Sequence, residues 1–156
     1  MKHPDKSECE KNKKTKNRPT SVLFVCNLNA IRSPMAEALT RHLYGARIAA
    51  ASAGVTPGDL DPFAVAVMAE IGIDLSGHAP GKFGDMTDGA FGVVVTLTPE
   101  AREVVHQTMS AMPVELEHWE VLDPTGVQGS REQRLEAYRQ VRDDLLARVK
   151  ARFGEV

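Results

Sequence analysis

The sequence is poor in cysteine and in net charge, and it contains no long apolar run. Only Cys9 and Cys26 occur among its 156 residues, too few for the disulfide framework of a small secreted domain. The formal net charge of −2 gives no indication of a nucleic-acid or membrane partner. No segment approaches the ~18 apolar residues of a membrane helix, and the N-terminal region lacks the apolar centre of a secretory signal. We therefore expect a cytoplasmic protein.

The first 20 residues differ from the rest of the chain. They contain six lysines and one arginine without apolar periodicity, which predicts a disordered basic tail over residues 1–20. The remaining 21–156 segment has the length of one globular domain. Because Cys9 lies in the predicted tail and Cys26 in the predicted domain, the two cysteines have neither the sequence spacing nor the expected proximity of a disulfide or a metal site. We predict no metal and no cofactor.

Apolar segments and turn residues alternate along residues 21–156. They predict strands over residues 21–26, 46–55, 90–97 and 113–121, and helices that start near Ser33, Pro62, Pro99 and Ser130. The last helix begins with "SREQ", a capping-box pattern. This alternation predicts a three-layer α/β fold, a parallel sheet with helices on both faces. Ligands of such sheets bind beyond the carboxyl ends of the strands, where Cys26 and Asp123 are expected.

The segment "CNLNAIRS" joins the first strand to the first helix. Its five central residues lead into a helix N-terminus, so their N–H groups are expected to bind a tetrahedral oxyanion; they are Asn27, Leu28, Asn29, Ala30 and Ile31. The same N–H groups and helix dipole favour the thiolate form of Cys26. A lone buried cysteine is usually inert packing. The arginine and serine that follow it at this spacing favour a nucleophile instead.

Arg32 and Ser33 complete this predicted site. The planar guanidinium of Arg32 is suited to holding two oxygens of a phosphate. Ser33 is expected to contribute to binding the oxyanion, and its hydroxyl to donate a hydrogen bond to the Cys26 thiolate, although serine is also a common helix cap. Asp123, followed by Pro124, is the candidate proton donor on the opposite side. An Asp-Pro pair is equally ordinary turn chemistry.

The stretch "VCNLNAIRSPMAEAL" resembles the active-site signature of the low-molecular-weight protein tyrosine phosphatase superfamily. "SAG" at residues 52–54, "GIDLSGH" at residues 72–78 and the Asp-Pro pair follow in the expected order. The resemblance implies a flavodoxin-like fold with a four-stranded parallel sheet and a metal-free phosphomonoester hydrolase that forms a phosphocysteine. It implies Cys26 as nucleophile, Arg32 as oxyanion ligand and Asp123 as general acid, with Asn29, Ser33 and His78 supporting the loop.

Several positions depart from the family pattern and leave alternatives open. Leu28 stands where the family usually has glycine, and Ile31 where many members have a protective second cysteine. Thr125 and Gly126 replace aromatic residues that often clamp phosphotyrosine, so the substrate is either a phosphorylated protein or a small phosphomonoester.

Two other functions are also consistent with the sequence. The superfamily includes arsenate reductases, some of which relay oxidation through a cysteine at the position of Thr98. Without that cysteine, arsenate could be reduced only with an external small thiol. The third alternative is a non-catalytic oxyanion-binding module.

Overall fold

The computed structural model describes residues 19–87 and 89–155. Apart from residues 19 and 20, the predicted basic tail, including Cys9, lies outside the described residues. The strands are β1 (Ser21–Cys26), β2 (Ala49–Gly54), β3 (Val93–Thr96) and β4 (Glu115–His118). The helices are α1 (Arg32–Tyr44), α2 (Pro62–Ala69), α3 (Pro99–Met109) and α4 (Arg131–Phe153), with short 3-10 helices at Phe83–Asp85 and Pro124–Gly126.

The four strands form one parallel sheet in the order β2-β1-β3-β4. Alternate residues of β1 enter two apolar layers: Val22 and Phe24 pack on one face, and Leu23 and Val25 on the other. The first face is covered by α1, α2 and α4, and the second by α3 together with Phe83. The predicted α/β fold, a parallel sheet with helices on both faces, is confirmed.

Side-chain caps fix where three of the helices begin. Asp61 accepts a hydrogen bond from the backbone N–H of the second residue of α2, and Thr98 accepts one from the third residue of α3. Ser130 and Gln133 form the predicted capping box at the start of α4. Each cap satisfies N–H groups that have no partner within the helix. The loops that lead into α2 and α3 are therefore held in place beside the sheet edge.

The fourth strand is shorter than the sequence predicts, and Asp123 does not directly end it. After His118 the chain turns inward, so that Trp119 packs on Phe24 with ring centroids 5.7 Å apart. Val121 is also buried, and its carbonyl accepts a hydrogen bond from a side chain instead of extending a strand ladder. Asp123 therefore lies in an irregular loop, where it caps the 3-10 helix Pro124–Gly126.

None of the helices within residues 19–87 and 89–155 is long and apolar enough to cross a membrane.

Candidate active site

The oxyanion loop, residues 27–31 between β1 and α1, lies at the carboxyl edge of the sheet, where neighbouring strands β2 and β3 flank β1. Its carbonyl oxygens are bound by the segment that follows β2. The four hydrogen bonds, with N···O distances of 2.8–3.1 Å, run from the N–H groups of Val55, Thr56, Gly58 and Asp61 to the carbonyls of Cys26, Asn27, Leu28 and Ala30, respectively. A loop whose carbonyls are engaged on one side presents N–H groups to the other, as an anion cradle requires.

Gly54 makes this bracing possible. A Cβ atom at position 54 would lie 2.7 Å from the backbone N of Asn29 and 2.7 Å from the carbonyl carbon of Leu28. Real Cβ atoms do not approach backbone so closely, so any larger residue would push the loop away from the sheet. This gives a physical reason for the glycine of the "SAG" motif, which the sequence alone identified only by resemblance.

The sulfur of Cys26 is buried and receives two hydrogen bonds. The Oγ of Ser33 lies 2.8 Å from Sγ, and the backbone N–H of Asn29 lies 3.3 Å from it. Cys26 is 3% exposed, so these contacts take the place of water at the sulfur. Both contacts are positioned to stabilise the sulfur as a nucleophile and as a leaving group.

The direction of the hydrogen bond between Ser33 and Cys26 follows from the contacts of Asn29. The N–H of Gly81 donates to Asn29 Oδ1 over 2.9 Å, which identifies the other atom of the amide as the donor. That Nδ2 group donates to the hydroxyl oxygens of Ser33 at 2.8 Å and Ser52 at 2.9 Å. Because Ser33 accepts from Asn29, its own proton is available for the sulfur at 2.8 Å, which is much closer than its other acceptor, the carbonyl of Ala53 at 3.4 Å.

Asn29 is completely buried and has a φ of +53°. It is the single non-glycine residue with positive φ in the described part of the chain. Asparagine tolerates this conformation better than most residues. Leu28 does not adopt it; this side chain is instead half exposed, at 51%, where the family pattern has glycine.

His78 lies behind the loop, with Nε2 2.9 Å from Asn29 Oδ1. Since the amide oxygen can only accept, Nε2 carries the proton in this contact. Burial lowers the pKa of His78 below its usual value, and the attraction of Glu37 only partly opposes this effect. The imidazole is therefore neutral at neutral pH, and the structure places it where the resemblance implies a support for the loop.

Glu37 and Arg41 extend this network, and neither of them was identified from the sequence. Ser52 donates to Glu37 Oε1 over 2.7 Å, and Glu37 forms an ion pair with Arg41 at 3.2 Å. Glu37 is 9% exposed and lies in the stretch of α1 that also buries Met35 and Ala36. An acidic residue at a buried helix position is the signal that could have identified it, because an isolated buried carboxylate is costly.

Arg32 and Asp123 close the opposite side of the site. The guanidinium of Arg32 donates to the carbonyl of Val121 over 3.1 Å. This bond holds the Arg32 side chain beside the irregular loop that contains Asp123, here named the acid loop. Asp123 Oδ1 accepts from the N–H of Thr125 at 2.9 Å and from its hydroxyl at 2.6 Å. Partial burial alone would raise the pKa of Asp123, but these two hydrogen bonds and the charge of Arg32 outweigh it and lower the pKa.

These residues surround a cavity of about 230 Å³. It is lined by Cys26, Asn27, Leu28, Ala30, Ile31, Arg32, Asp123 and Thr125. The structure thus brings together the candidate nucleophile, arginine and acid, with Asn29 and Ser33 directly behind them. No aromatic ring is among the lining residues. The cavity offers room for a tetrahedral oxyanion but no aromatic clamp for the group attached to it.

Asn27 lines the cavity, but its side chain binds α3. Its Oδ1 accepts from the hydroxyl of Thr98 over 2.6 Å, and its Nδ2 donates to Glu100 over 3.3 Å. Thr98 therefore anchors the loop at the position where a relay cysteine would stand. Within residues 19–87 and 89–155 Cys26 is the single free cysteine, and no group of three or more His, Cys, Asp or Glu side chains is arranged to hold a metal ion.

Comparison with known proteins relates the chain to two kinds of enzyme. The family model for low molecular weight phosphotyrosine protein phosphatases matches residues 21–156. An arsenate reductase of Shouchella clausii is 35% identical over 86% of this chain and 94% of its own length. A solved arsenate reductase in the phosphate-binding state has a TM-score of 0.68 at 32% identity, with 85% of this chain and 95% of that chain covered. A low molecular weight protein tyrosine phosphatase from T. tengcongensis has a TM-score of 0.71 at 26% identity, with 84% and 95% covered.

Proposed function

Because the chain belongs to the low molecular weight phosphotyrosine protein phosphatase family, we propose that it is a phosphomonoester hydrolase whose nucleophile is Cys26. The sequence resemblance to this family is confirmed, and the chain is an enzyme of a superfamily that includes phosphatases and arsenate reductases. One observation carries the proposal: the buried sulfur of Cys26 accepts from Ser33 and Asn29 in a cavity that also contains Arg32 and Asp123.

In the first step the Cys26 thiolate attacks phosphorus and the bond to the ester oxygen breaks. Asp123 gives its proton to the departing oxygen, so that the products are an alcohol or phenol and a phosphocysteine. Arg32 and the loop N–H groups bind the three remaining phosphoryl oxygens. Such preorganised donors contribute most where charge develops in the transition state.

In the second step a water molecule attacks the phosphocysteine. Asp123, now ionised, accepts a proton from the water, the sulfur–phosphorus bond breaks, and inorganic phosphate forms. The electron pair of that bond returns to Cys26, and the Ser33 hydroxyl stabilises the regenerated thiolate. The same residue is thus acid in one step and base in the next.

The lowered pKa of Asp123 sets a condition on the first step. At neutral pH the empty site holds this residue ionised, so the proton must arrive with the substrate or after it binds. A phosphate bound by Arg32 adds negative charge next to the carboxylate, which raises its pKa again. We therefore expect the protonated acid to form in the complex and activity to be greatest at acidic pH.

The proposal is tested by metal-free hydrolysis of p-nitrophenyl phosphate by the wild type and by Cys26→Ser. We expect the substitution to reduce kcat by at least about 10⁴-fold, while inorganic phosphate still binds as a competitive inhibitor. Hydrolysis that survives in Cys26→Ser would contradict a cysteine mechanism. Phosphate binding without turnover in the wild type would favour the non-catalytic oxyanion-binding module.

Arsenate reduction is the second candidate, favoured by the similarity to named arsenate reductases and by the cavity without aromatic walls. Cys26 would displace one arsenate oxygen, which leaves as water. An external thiol would then attack the Cys26 sulfur, and the electron pair of the sulfur–arsenic bond would reduce As(V) to As(III). A second thiol would release Cys26 from the mixed disulfide. Arsenate-dependent oxidation of glutathione, measured beside phosphate release, distinguishes the two reactions.

A cytoplasmic location remains a prediction.

A further inference from the structure

The six arginines of α4 fall into two groups. Four of them form ion pairs with carboxylates at 2.5–3.3 Å, namely Arg139, Arg142, Arg148 and Arg152. The other two, Arg131 and Arg134, are exposed and form no ion pair with a carboxylate in the described part of the chain. Their guanidinium groups lie over the ring of Phe63 in α2, 5.2 Å and 4.7 Å from the ring centroid.

This arginine pair, Arg131 and Arg134, is connected to the candidate active site through Phe63. Phe63 follows Asp61 by two residues, and Asp61 donates its backbone N–H to the carbonyl of Ala30 in the oxyanion loop over 3.1 Å. Asp61 also accepts from the hydroxyl of Tyr138, which packs against Phe63 with ring centroids 5.3 Å apart. A chain of contacts through Phe63, Tyr138 and Asp61 therefore connects the arginine pair with the loop.

The loop that contains Asp123 is also connected to the start of α4. Arg131 is the first residue of α4, and it follows Asp123 by eight positions along the chain. The 3-10 helix Pro124–Gly126, which Asp123 caps, contacts α4. In agreement with this contact, the charge of Asp123 raises and the charge of Arg134 lowers the pKa of the Tyr138 hydroxyl.

Stability of the helix does not account for the position of the pair. Positive side chains in the first turn oppose the helix dipole, which favours acidic residues there. The acidic residue of that turn, Glu132, pairs with Arg139 instead of with either arginine. The contact with Phe63 positions both guanidinium groups, and no carboxylate of the described residues forms an ion pair with them, so they can bind an anion.

We propose that Arg131 and Arg134 bind a second anionic group, a carboxylate or a phosphate, carried by the substrate on the leaving-group side of the reacting phosphate. This inference rests on the proposed phosphatase function. A phosphorylated protein segment with acidic residues next to the phosphorylated residue has this chemistry. The cavity itself provides no aromatic clamp, so the arginine pair supplies recognition that its walls lack.

The test compares two tyrosine-phosphorylated peptides that are identical except for two flanking glutamates or two flanking glutamines. We expect wild-type kcat/KM to favour the acidic peptide by about tenfold, and the Arg131→Gln/Arg134→Gln variant to reduce this ratio to about one. Because this ratio compares two peptides on the same variant, a general loss of activity does not change it. Lys150→Gln, an equal change of charge per site at the far end of α4, should retain the wild-type ratio.

Binding separates this inference from the proposed function. Fluorescence anisotropy of the same peptides on Cys26→Ser requires no turnover, so the preference is measurable even if phosphate release is not observed. A preference for the acidic peptide that disappears with Arg131→Gln/Arg134→Gln and weakens at high salt supports the site. Equal affinity for both peptides, a preference that survives the double substitution, or its loss in Lys150→Gln would overturn it.

Discussion

The two loops that form the candidate site are held very differently. The oxyanion loop after β1 receives four backbone hydrogen bonds from the segment after β2, and Asn29 at its centre is completely buried. In the acid loop Pro124 is buried, but Asp123 lies largely at the surface, and the bonds to that carboxylate come from Thr125, two residues away. Leu122, next to the acid, is 82% exposed.

This difference separates two tasks of one site. Binding and attacking a tetrahedral oxyanion requires donors fixed before the substrate arrives, because donors that must reorganise contribute less. Proton delivery must instead adapt to leaving groups of different size and basicity. We therefore expect substitutions behind the oxyanion loop to affect all substrates alike, and substitutions in the acid loop to affect substrates selectively.

Replacement of Gly54 by alanine should have the largest effect. The added Cβ would meet the loop backbone at 2.7 Å, so the loop must shift and several oxyanion donors move together. We expect kcat/KM to fall by about 1,000-fold for every phosphomonoester tested, with weaker phosphate inhibition and a lower Tm. Steady-state kinetics and thermal unfolding measure these effects.

Gly126→Ala is the matched control in the acid loop. A Cβ at Gly126 has no atom within 4 Å, and its φ is not in the left-handed region. This variant should retain the wild-type rate within about twofold. Equal losses in the two variants would show that the oxyanion loop is no more constrained than the acid loop, contrary to the comparison above.

Replacement of Asp123 by asparagine should have the next largest effect, and a selective one. Asparagine keeps the shape and the contact with Thr125 but cannot give a proton to the leaving oxygen. We expect kcat to fall by about 100-fold for alkyl phosphates, whose leaving groups are strongly basic, and by about tenfold or less for p-nitrophenyl phosphate. A loss that is the same across leaving groups would remove Asp123 from proton transfer.

The fold and the centre of the site were accessible from the sequence because they depend on local patterns. Buried strands such as "SVLFVC" and the cap at Ser130 have signals within a few residues. Cys26, Arg32 and Ser33 share one strand-loop-helix unit, so their proximity follows from the chain itself. Asp123 was found through its Asp-Pro pair, although the strand before it is shorter than expected.

The supports of the oxyanion loop were less accessible because they come from distant segments. Ser52 and Gly81 reach Asn29 from positions 23 and 52 residues away, and no local pattern predicts such contacts. Only the resemblance drew attention to "SAG" and His78. The close approach that requires glycine at position 54 depends on how β2 packs beside the loop, which the sequence alone does not express.

Replacement of Thr125 by valine should have the smallest effect, a displacement of the pH profile. The Thr125 hydroxyl favours ionised Asp123 through its 2.6 Å hydrogen bond, so its removal raises the pKa of that carboxyl toward the ordinary value. Asp123 then stays protonated to higher pH, and the alkaline limb of the kcat profile for an alkyl phosphate should move to higher pH.

Stability should change with pH in the matching direction. The wild-type contribution from the lowered Asp123 pKa is present above the pKa of the unfolded chain, about 3.9, and is lost as pH falls through the folded value. Thr125→Val should therefore lose less stability on acidification.

In the kinetic experiment, a shift of the alkaline limb of the kcat profile to lower pH in Thr125→Val would contradict this prediction. It would mean that the observed limb belongs to another group, and that the acid loop does not control proton delivery.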